Sequence, residues 1–403
     1  MISIVTGIIT EYNPFHKGHE YHLEKARLDT NAHSIVCVMS GNFTQRGIPA
    51  IIDKWKRAEM AIKNGVDLVL ELPVVYSLSS AEHFAFGGVS LLNSLGIIDN
   101  LHFGSEEGNT DVLELIAETL VLEPFEYKNL LKYNLNLGLP FHQSRANALN
   151  DYLNSNDVLA VLNNSNNILG IEYIKALKVL NSSIIPKTLK REGAAYNDEN
   201  LNSSFSSATS IRKHLRENSL SELSTALPKA SYDILYNLSS SNYPFIFEED
   251  MFKYIKYKLF TNEQSLLSLP DISEGLENRI LKEILNATSI SELILNSKSK
   301  RYTYTRINRI LAQSFLNLEA FDLLNLSKSH VPYARVLGFN SNGRNILKNI
   351  KDKGNIDIIT KVPRNNLCDH MKIDILATKA YSLLNPKVNP MDDYLKSPIR
   401  HMK

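Results

Sequence analysis

Cysteine is nearly missing from this chain: Cys37 and Cys368 are two in 403 residues. They lie far apart, outside metal-ligand or redox spacing, which excludes a disulfide framework and suits a reducing cytoplasm. Cys37 sits in the apolar run Ile35-Val36-Cys37-Val38-Met39 and is expected in the core. No apolar run is long enough to span a bilayer. The first apolar run ends too soon and lacks a basic start, so no secretory signal is expected. Charge of either sign is not in excess: the net charge is +1, and any nucleic-acid surface must be a local patch. Internal repeats are absent, and Leu238-Ser239-Ser240-Ser241-Asn242 is the one short low-complexity patch.

What is present is the composition of a soluble globular protein, 43% hydrophobic and 22% charged. A chain of this length holds a large core, and two domains are expected. Residues 1–110 read as strand–helix repeats. Strands are expected over 2–10, 34–39, 66–72 and 100–104, and helices over 17–28, 53–64 and 80–95. Asp53 is the expected cap of its helix and Gly65 the stop. Strands apolar on both faces, alternating with helices, predict a parallel sheet covered on both sides, an α/β Rossmann-like domain. Helices are expected over 111–121, 124–137, 142–153 and 170–180, with an asparagine-rich turn at 163–167. A short strand over 183–191 and a polar loop at 206–212 complete a domain of residues 1–220, with a linker near 217–222. Residues 221–403 read as mainly helical and locally basic. Two short β-like runs, 333–339 and 356–359, flank a helix at 343–350, and a last helix spans 369–384.

Chemistry concentrates where the first strand hands over to the first helix, at Ile8-Ile9-Thr10-Glu11-Tyr12-Asn13-Pro14-Phe15-His16-Lys17-Gly18-His19. In an open parallel sheet, ligands bind at the carboxyl ends of the strands. A helix N-terminus there supplies free N–H groups suited to phosphate. A bare His-x-Gly-His recurs by chance, and His16 and His19 are otherwise ordinary loop and helix residues. Two further segments should converge on it. Ser206, Thr209 and Arg212 in Ser206-Ser207-Ala208-Thr209-Ser210-Ile211-Arg212 are hydroxyl and guanidinium donors at a helix start, or else a helix cap with a surface arginine. Ser40-Gly41-Asn42-Phe43-Thr44-Gln45-Arg46-Gly47 ends the second strand, and alone reads as a glycine-bounded turn.

These residues carry a resemblance. The His-x-Gly-His with the distal Ser-x-x-Thr-x-Ile-Arg loop resembles the nucleotidyltransferase superfamily. Gly7 to His19, Ser40 to Gly47 and Gly65-Val66-Asp67-Leu68-Val69-Leu70-Glu71-Leu72-Pro73 look like the bacterial tRNA(Met) cytidine acetate ligase family. The likeness covers most of 1–215 and is softer beyond 223. Lys17 stands where the family more often has asparagine, a basic change beside a phosphate site.

The resemblance implies that acetate and ATP form acetyl-adenylate and pyrophosphate. The wobble cytidine of elongator tRNA(Met), presented by the anticodon arm, then takes the acetyl group to give N4-acetylcytidine and AMP. His16 and His19 would bind and neutralise phosphates, with Thr10 the third catalytic residue. ATP would contact Gly7, Ile8, Ile9, Thr10, Glu11, Tyr12, Asn13, Pro14, Phe15, His16, Lys17, Gly18, His19 and Glu20. Carried over by position, Gly104, Asn167, Arg191 and Glu192 would follow. Asn167 reads equally as a helix cap and Arg191 as a solvated ion-pair neighbour. Mg²⁺ is expected with the ATP phosphates. Asn42, Gln45 and Arg46 are candidates for the acetate or cytidine pocket from their place at the sheet edge.

RNA contact is expected at Lys298, Lys300, Arg301, Tyr302, Tyr304, Arg306 and Arg309, where five basic residues and two tyrosines lie without an acid. Residues 341–403 carry 12 Lys+Arg against 6 Asp+Glu. A solvated helix face is the competing account of both. No membrane contact and no stable protein partner are implied. Two rivals remain: an adenylyltransferase acting on a small metabolite, and a non-catalytic RNA-binding protein on a vestigial nucleotide fold.

Overall fold

Every residue of Ser34–Ser40 is buried, as a run of apolar and β-branched residues demands when both faces of its sheet are covered. The computed structural model describes residues 3–154, 157–191, 206–217, 220–299 and 301–402. Among them eight strands form one sheet: β1 (Val5–Thr10), β2 (Ser34–Ser40), β3 (Leu68–Leu72), β4 (Asn100–Ser105), β5 (Ile185–Lys190), β6 (Tyr333–Asn340), β7 (Asp357–Ile359) and β8 (Ile399–His401). Their order is β5-β4-β1-β2-β3-β6-β7, and β8 also pairs with β6.

Helices Lys17–Thr30 and Lys54–Lys63 link β1 to β2 and β2 to β3. Helix Ala81–Ser94 then carries the chain back across the sheet to β4. Right-handed crossovers running in opposite directions place the returning helix on the opposite face. Asp53 caps its helix by accepting from the Trp55 and Lys56 N–H groups, as the sequence predicts. β5 is the outer strand, with Ile185 exposed and Pro186 in the ladder, a position where proline is tolerated.

Three expectations need correction. The sheet does not end near residue 220, because β6, β7 and β8 come from the last seventy residues. The linker expected at 217–222 therefore does not divide a sheet-bearing half from a helical one. β6 runs antiparallel to β3, so the sheet is mixed rather than wholly parallel. The runs at 333–339 and 356–359 were legible as strands, but the first pairs with β3, some 265 residues earlier, and periodicity carries no pairing information. The turn expected at 163–167 is partly helix: Ser165–Val179 is helical, because Glu106 accepts from the Asn166 and Asn167 N–H groups and holds that helix start. Between 220 and 328 the regular elements among the described residues are all helices, including Lys229–Ser240, Phe252–Thr261 and Tyr304–Phe315.

A buried ion cluster ties the last segment to the sheet. Lys54 Nζ lies 2.7 Å from Glu71 Oε1 and 2.8 Å from Asp393 Oδ1, and Arg335 lies 3.2 Å from the same Asp393 oxygen. All four side chains are at most 5% exposed, so they must balance each other. The two carboxylates hold the Lys54 ammonium above its ordinary range despite burial. Lys54→Met leaves Glu71 without its cation, and removing one partner of a buried pair costs ~3–5 kcal/mol. A clear fall in the urea midpoint is expected; an unchanged midpoint would mean the cluster contributes no net stability.

Candidate nucleotide-binding site

Because the chain leaves β1 in one direction and returns across it to β4, a crevice opens at the carboxyl ends of β1 and β4. A cavity of about 280 Å³ lies there. Ile9 and Thr10 of β1, Gly104 of β4, and Leu189 and Lys190 of β5 reach it from the sheet. His16, Gly18, His19 and His22 reach it from the first helix, Gln45 and Arg46 from the loop after β2, and Ser206, Thr209 and Arg212 from the start of helix Ala208–Arg216. The three segments expected to converge do so.

The turn after β1 is fixed from several sides. Tyr12 adopts a left-handed backbone, φ 45, which costs a residue with a Cβ about 1–2 kcal/mol. Its ring is buried against Phe15 and His19, and its hydroxyl lies 3.4 Å from Cys37 Sγ. Asn13 Oδ1 accepts from the Ile51 N–H, and Glu11 Oε1 accepts from the Gln45 N–H. Arg57, fully buried, donates to the carbonyls of Glu11, Gly41 and Ile52. Arg212 donates to the Asn13 carbonyl at 3.0 Å and to Thr209 Oγ1 at 3.1 Å.

The two motif histidines cap the first helix reciprocally. His16 Nδ1 accepts from the Gly18 N–H, and His19 Nδ1 accepts from the His16 N–H. Their rings stack with centroids 3.8 Å apart. A neutral imidazole whose Nδ1 accepts must carry its proton on Nε2. Burial, with the Arg191 and Arg212 guanidiniums adding, pushes His16 down to about 3. Burial first, then His16 and His22, holds His19 well below its ordinary value. Both rings are therefore neutral Nε2–H donors in the free protein, suited to bind phosphate oxygens, while the charge that neutralises them comes from other residues. Among the described lining residues, positive charge comes from Arg46, Lys190, Arg191 and Arg212, against Glu11 as the one acid. At Gly104 a Cβ would stand 3.3 Å from Arg191 Cγ, so the glycine lets that arginine lie across the end of β4.

Some expected contacts belong to the scaffold. Gly7, Ile8, Pro14, Phe15, Lys17 and Glu20 are not among the cavity-lining residues; Ile8 and Phe15 are core, and a Cβ on Gly7 would strike Leu92. Asn42 is buried, its amide accepting from the Lys54 N–H and donating to Thr378, so it has no free end for acetate. Asn167 is buried between the Glu107 N–H and the Val161 carbonyl, and its neighbour Asn166 lines the cavity instead. Glu192 and Lys300 lie outside the described residues.

The basic segment at 298–309 does not present one face. Tyr302 is 5% exposed and donates to the Ser273 and Glu274 carbonyls, so its ring is not offered to a base. Arg306 donates to the Asp271 carbonyl, Arg309 is buried beside Asp271, and Arg301 pairs with Glu274. Lys298 is exposed, and Tyr304 is half-buried and lines a different groove from the nucleotide cavity.

Sequence reasoning missed Tyr21, His22, Phe84, Leu169, Tyr173, Leu189 and Lys190 in the lining. The signal for His22 was present, since it follows His19 by three residues on one helix face. His22 Nε2 lies 3.0 Å from His102 Nδ1, and His102 Nε2 lies 3.3 Å from Asp29. The carboxylate fixes one ring and that ring fixes the next, leaving His22 Nδ1 as an acceptor.

A family model described as HIGH Nucleotidyl Transferase matches residues 3–394. The tRNA(Met) cytidine acetate ligase of Clostridium novyi (strain NT) is 52% identical, over 98% of this chain and 99% of its own length. That of Clostridium acetobutylicum is 50% identical over 98% and 99%. Among solved structures, Thermotoga maritima TmcAL bound with alpha-thio ATP is 33% identical with a TM-score of 0.90, covering 99% of this chain and 100% of that one. The apo form of the same protein gives a TM-score of 0.93.

The buried neutral histidines make stability depend on pH in a stated direction. A folded-state value near 3 against an ordinary 6.5 means that His16 stabilises the fold above pH 6.5 and loses that contribution as pH falls below it. The loss approaches ~1.4 kcal/mol per pH unit for one such group. His16→Asn keeps a cap-competent side chain and removes the titration. Urea unfolding between pH 7 and 5 should show a shallower pH slope for the variant; equal slopes would mean that His16 titrates alike in the folded and unfolded protein and is not held neutral by burial.

Proposed function

Since the chain belongs to the HIGH nucleotidyl transferases and, among them, to the tRNA(Met) cytidine acetate ligase family, we propose that it joins acetate to the wobble cytidine of elongator tRNA(Met) at the expense of ATP. In the first step a carboxylate oxygen of acetate bonds to the α-phosphorus. The bond to the β-phosphate oxygen breaks, and pyrophosphate leaves. In the second step the cytidine N4 amine attacks the acetyl carbon. The bond to the phosphate oxygen breaks, AMP leaves, and the amine loses a proton to give N4-acetylcytidine.

The observation that carries this reading is the stacked His16–His19 pair, held as Nε2–H donors opposite Thr209 and Arg212. Phosphoryl transfer needs positioning and stabilisation of charge on phosphoryl oxygens, and donors fixed in advance by the helix cap serve it without reorganising. Gln45 and Arg46, in the lining, are the sequence-expected candidates for the acetate or cytidine side. Asn13 joins them: its Nδ2 is buried without a partner among the described residues and suits a carboxylate oxygen. Thr10 is a polar lining residue at the end of β1.

Among the described residues no group of three His, Cys, Asp or Glu is placed to hold a metal. Among the described lining residues Glu11 is the one carboxylate, and it already accepts from the Gln45 N–H. Mg²⁺ enters this reading as a companion of the ATP phosphates, supplying charge neutralisation. Among the described residues no helix is long and apolar enough to cross a membrane. The reading puts the enzyme in the cytoplasm, with the anticodon arm of the tRNA as its partner.

Nucleoside mass spectrometry of tRNA incubated with the protein, ATP and isotopically labelled acetate should show labelled N4-acetylcytidine. His19→Ala removes one donor and should lower product formation roughly 10²-fold or more while tRNA still binds. Acetate-independent adenylylation of a small metabolite, with unmodified tRNA, would refute the assignment.

A further inference from the structure

A second groove opens beside the nucleotide cavity and meets it at Arg46, Ile48, Thr209 and Arg212, which line both. It holds about 470 Å³, within the roughly 300–1,000 Å³ of small-ligand clefts. Past the shared residues it passes Lys213 and Arg216 on helix Ala208–Arg216, then Phe247, and ends at the first turn of helix Tyr304–Phe315. We propose that this groove is the path by which the tRNA strand brings its target cytidine to the acetyl-adenylate. This rests on the function proposed above and adds where the RNA lies.

Four observations support it. The first is continuity: the amine must reach an acetyl group made in the first cavity, and the groove shares a wall with it. The second is charge. Arg46, Arg212, Lys213 and Arg216 face Glu217 and Glu248, an excess of two positive charges in a protein whose total is +1. Lys213 and Arg216 are exposed, as phosphate-contacting side chains must be. The third is the mixture of flat and cationic groups. The Arg216 guanidinium lies 4.6 Å from the Phe247 ring centroid and 2.8 Å from Glu248, so its plane is already set beside an aromatic face. Tyr304 supplies a second aromatic wall. Splayed bases of single-stranded RNA loops are held by such stacks.

The fourth is an unsatisfied acceptor. Asn308 is 2% exposed and lines the groove. Its Nδ2 donates to the Arg46 carbonyl at 3.0 Å, which fixes the amide, and Oδ1 has no donor among the described residues. A buried acceptor left unpaired is unfavourable, and a base amine would satisfy it. Gly47 makes the approach possible: at φ 76 it has no Cβ to strike the Arg309 backbone. The RNA face thus shifts from the whole 298–309 segment to the Tyr304, Thr305 and Asn308 side of its helix.

The test measures tRNA affinity by fluorescence anisotropy at fixed salt, separately from product formation. The double variant Lys213→Glu/Arg216→Glu, both sites exposed, is compared with Lys298→Glu/Arg301→Glu on the other side of the segment. The groove variant should weaken tRNA binding roughly tenfold or more and flatten its salt dependence, with the fold retained by circular dichroism. The other variant should bind nearly as the wild type, and Arg216→Lys, which keeps the charge without the planar stack on Phe247, should bind between the groove variant and the wild type. Unchanged affinity in the groove variant, or a loss confined to the Lys298/Arg301 variant, overturns the proposal. Wild-type protein that binds tRNA through the groove but yields no N4-acetylcytidine would overturn the function and leave the groove standing.

Discussion

The site depends on one buried guanidinium. Arg57 projects from the helix after β2, is fully buried, and donates to the carbonyls of Glu11, Gly41 and Ile52. Those carbonyls belong to the turns that follow β1 and β2 and to the approach to its own helix. Without it the turn that carries Tyr12 in a left-handed backbone would lose its anchor from below. The Ile51 N–H on Asn13 and Arg212 on the Asn13 carbonyl hold the same turn from either side. A guanidinium suits this task because its planar fork offers several donors in fixed directions. One turn earlier on that helix, Lys54 reaches Glu71 and Asp393. Two buried cations on one helix thus bind the catalytic turns and the chain's last segment to the same sheet.

That arrangement explains why the histidines work as neutral groups. Burial disfavours a positive charge on either ring, and the Arg191 guanidinium adds to it, joined at His16 by Arg212. The helix cap then consumes both Nδ1 atoms, so each ring has a single proton at a single place. The resulting site is electropositive through its arginines and directional through its histidines. This division matches a reaction whose charge develops on phosphoryl oxygens and needs donors at defined positions.

Much of this was legible in the residues. The strand–helix alternation of 1–110, the Asp53 cap and the convergence of three polar segments follow from periodicity and from the rule for ligand crevices in open sheets. What stayed hidden was non-local. Nothing in Tyr333–Asn340 says that it pairs antiparallel with β3, and nothing in Asn42 distinguishes a pocket amide from one satisfied by Lys54 and Thr378. Tyr302 and Arg309 look like RNA-contacting residues by type, yet packing against residues 271–274 turns them inward. Asn166 and Asn167 show the same limit at its sharpest. One lines the cavity and the other is core, and only the phase of a helix whose start was misplaced decides between them.

The central claim is that acetate is activated by forming a bond to the α-phosphorus. Oxygen isotope transfer reads that bond directly. With acetate doubly labelled with ¹⁸O, each turnover on tRNA should leave one ¹⁸O in the AMP released and one in the acetyl group of the product. AMP without ¹⁸O, or label recovered in inorganic phosphate, would mean that the carboxylate is activated at another phosphorus, and would contradict the account.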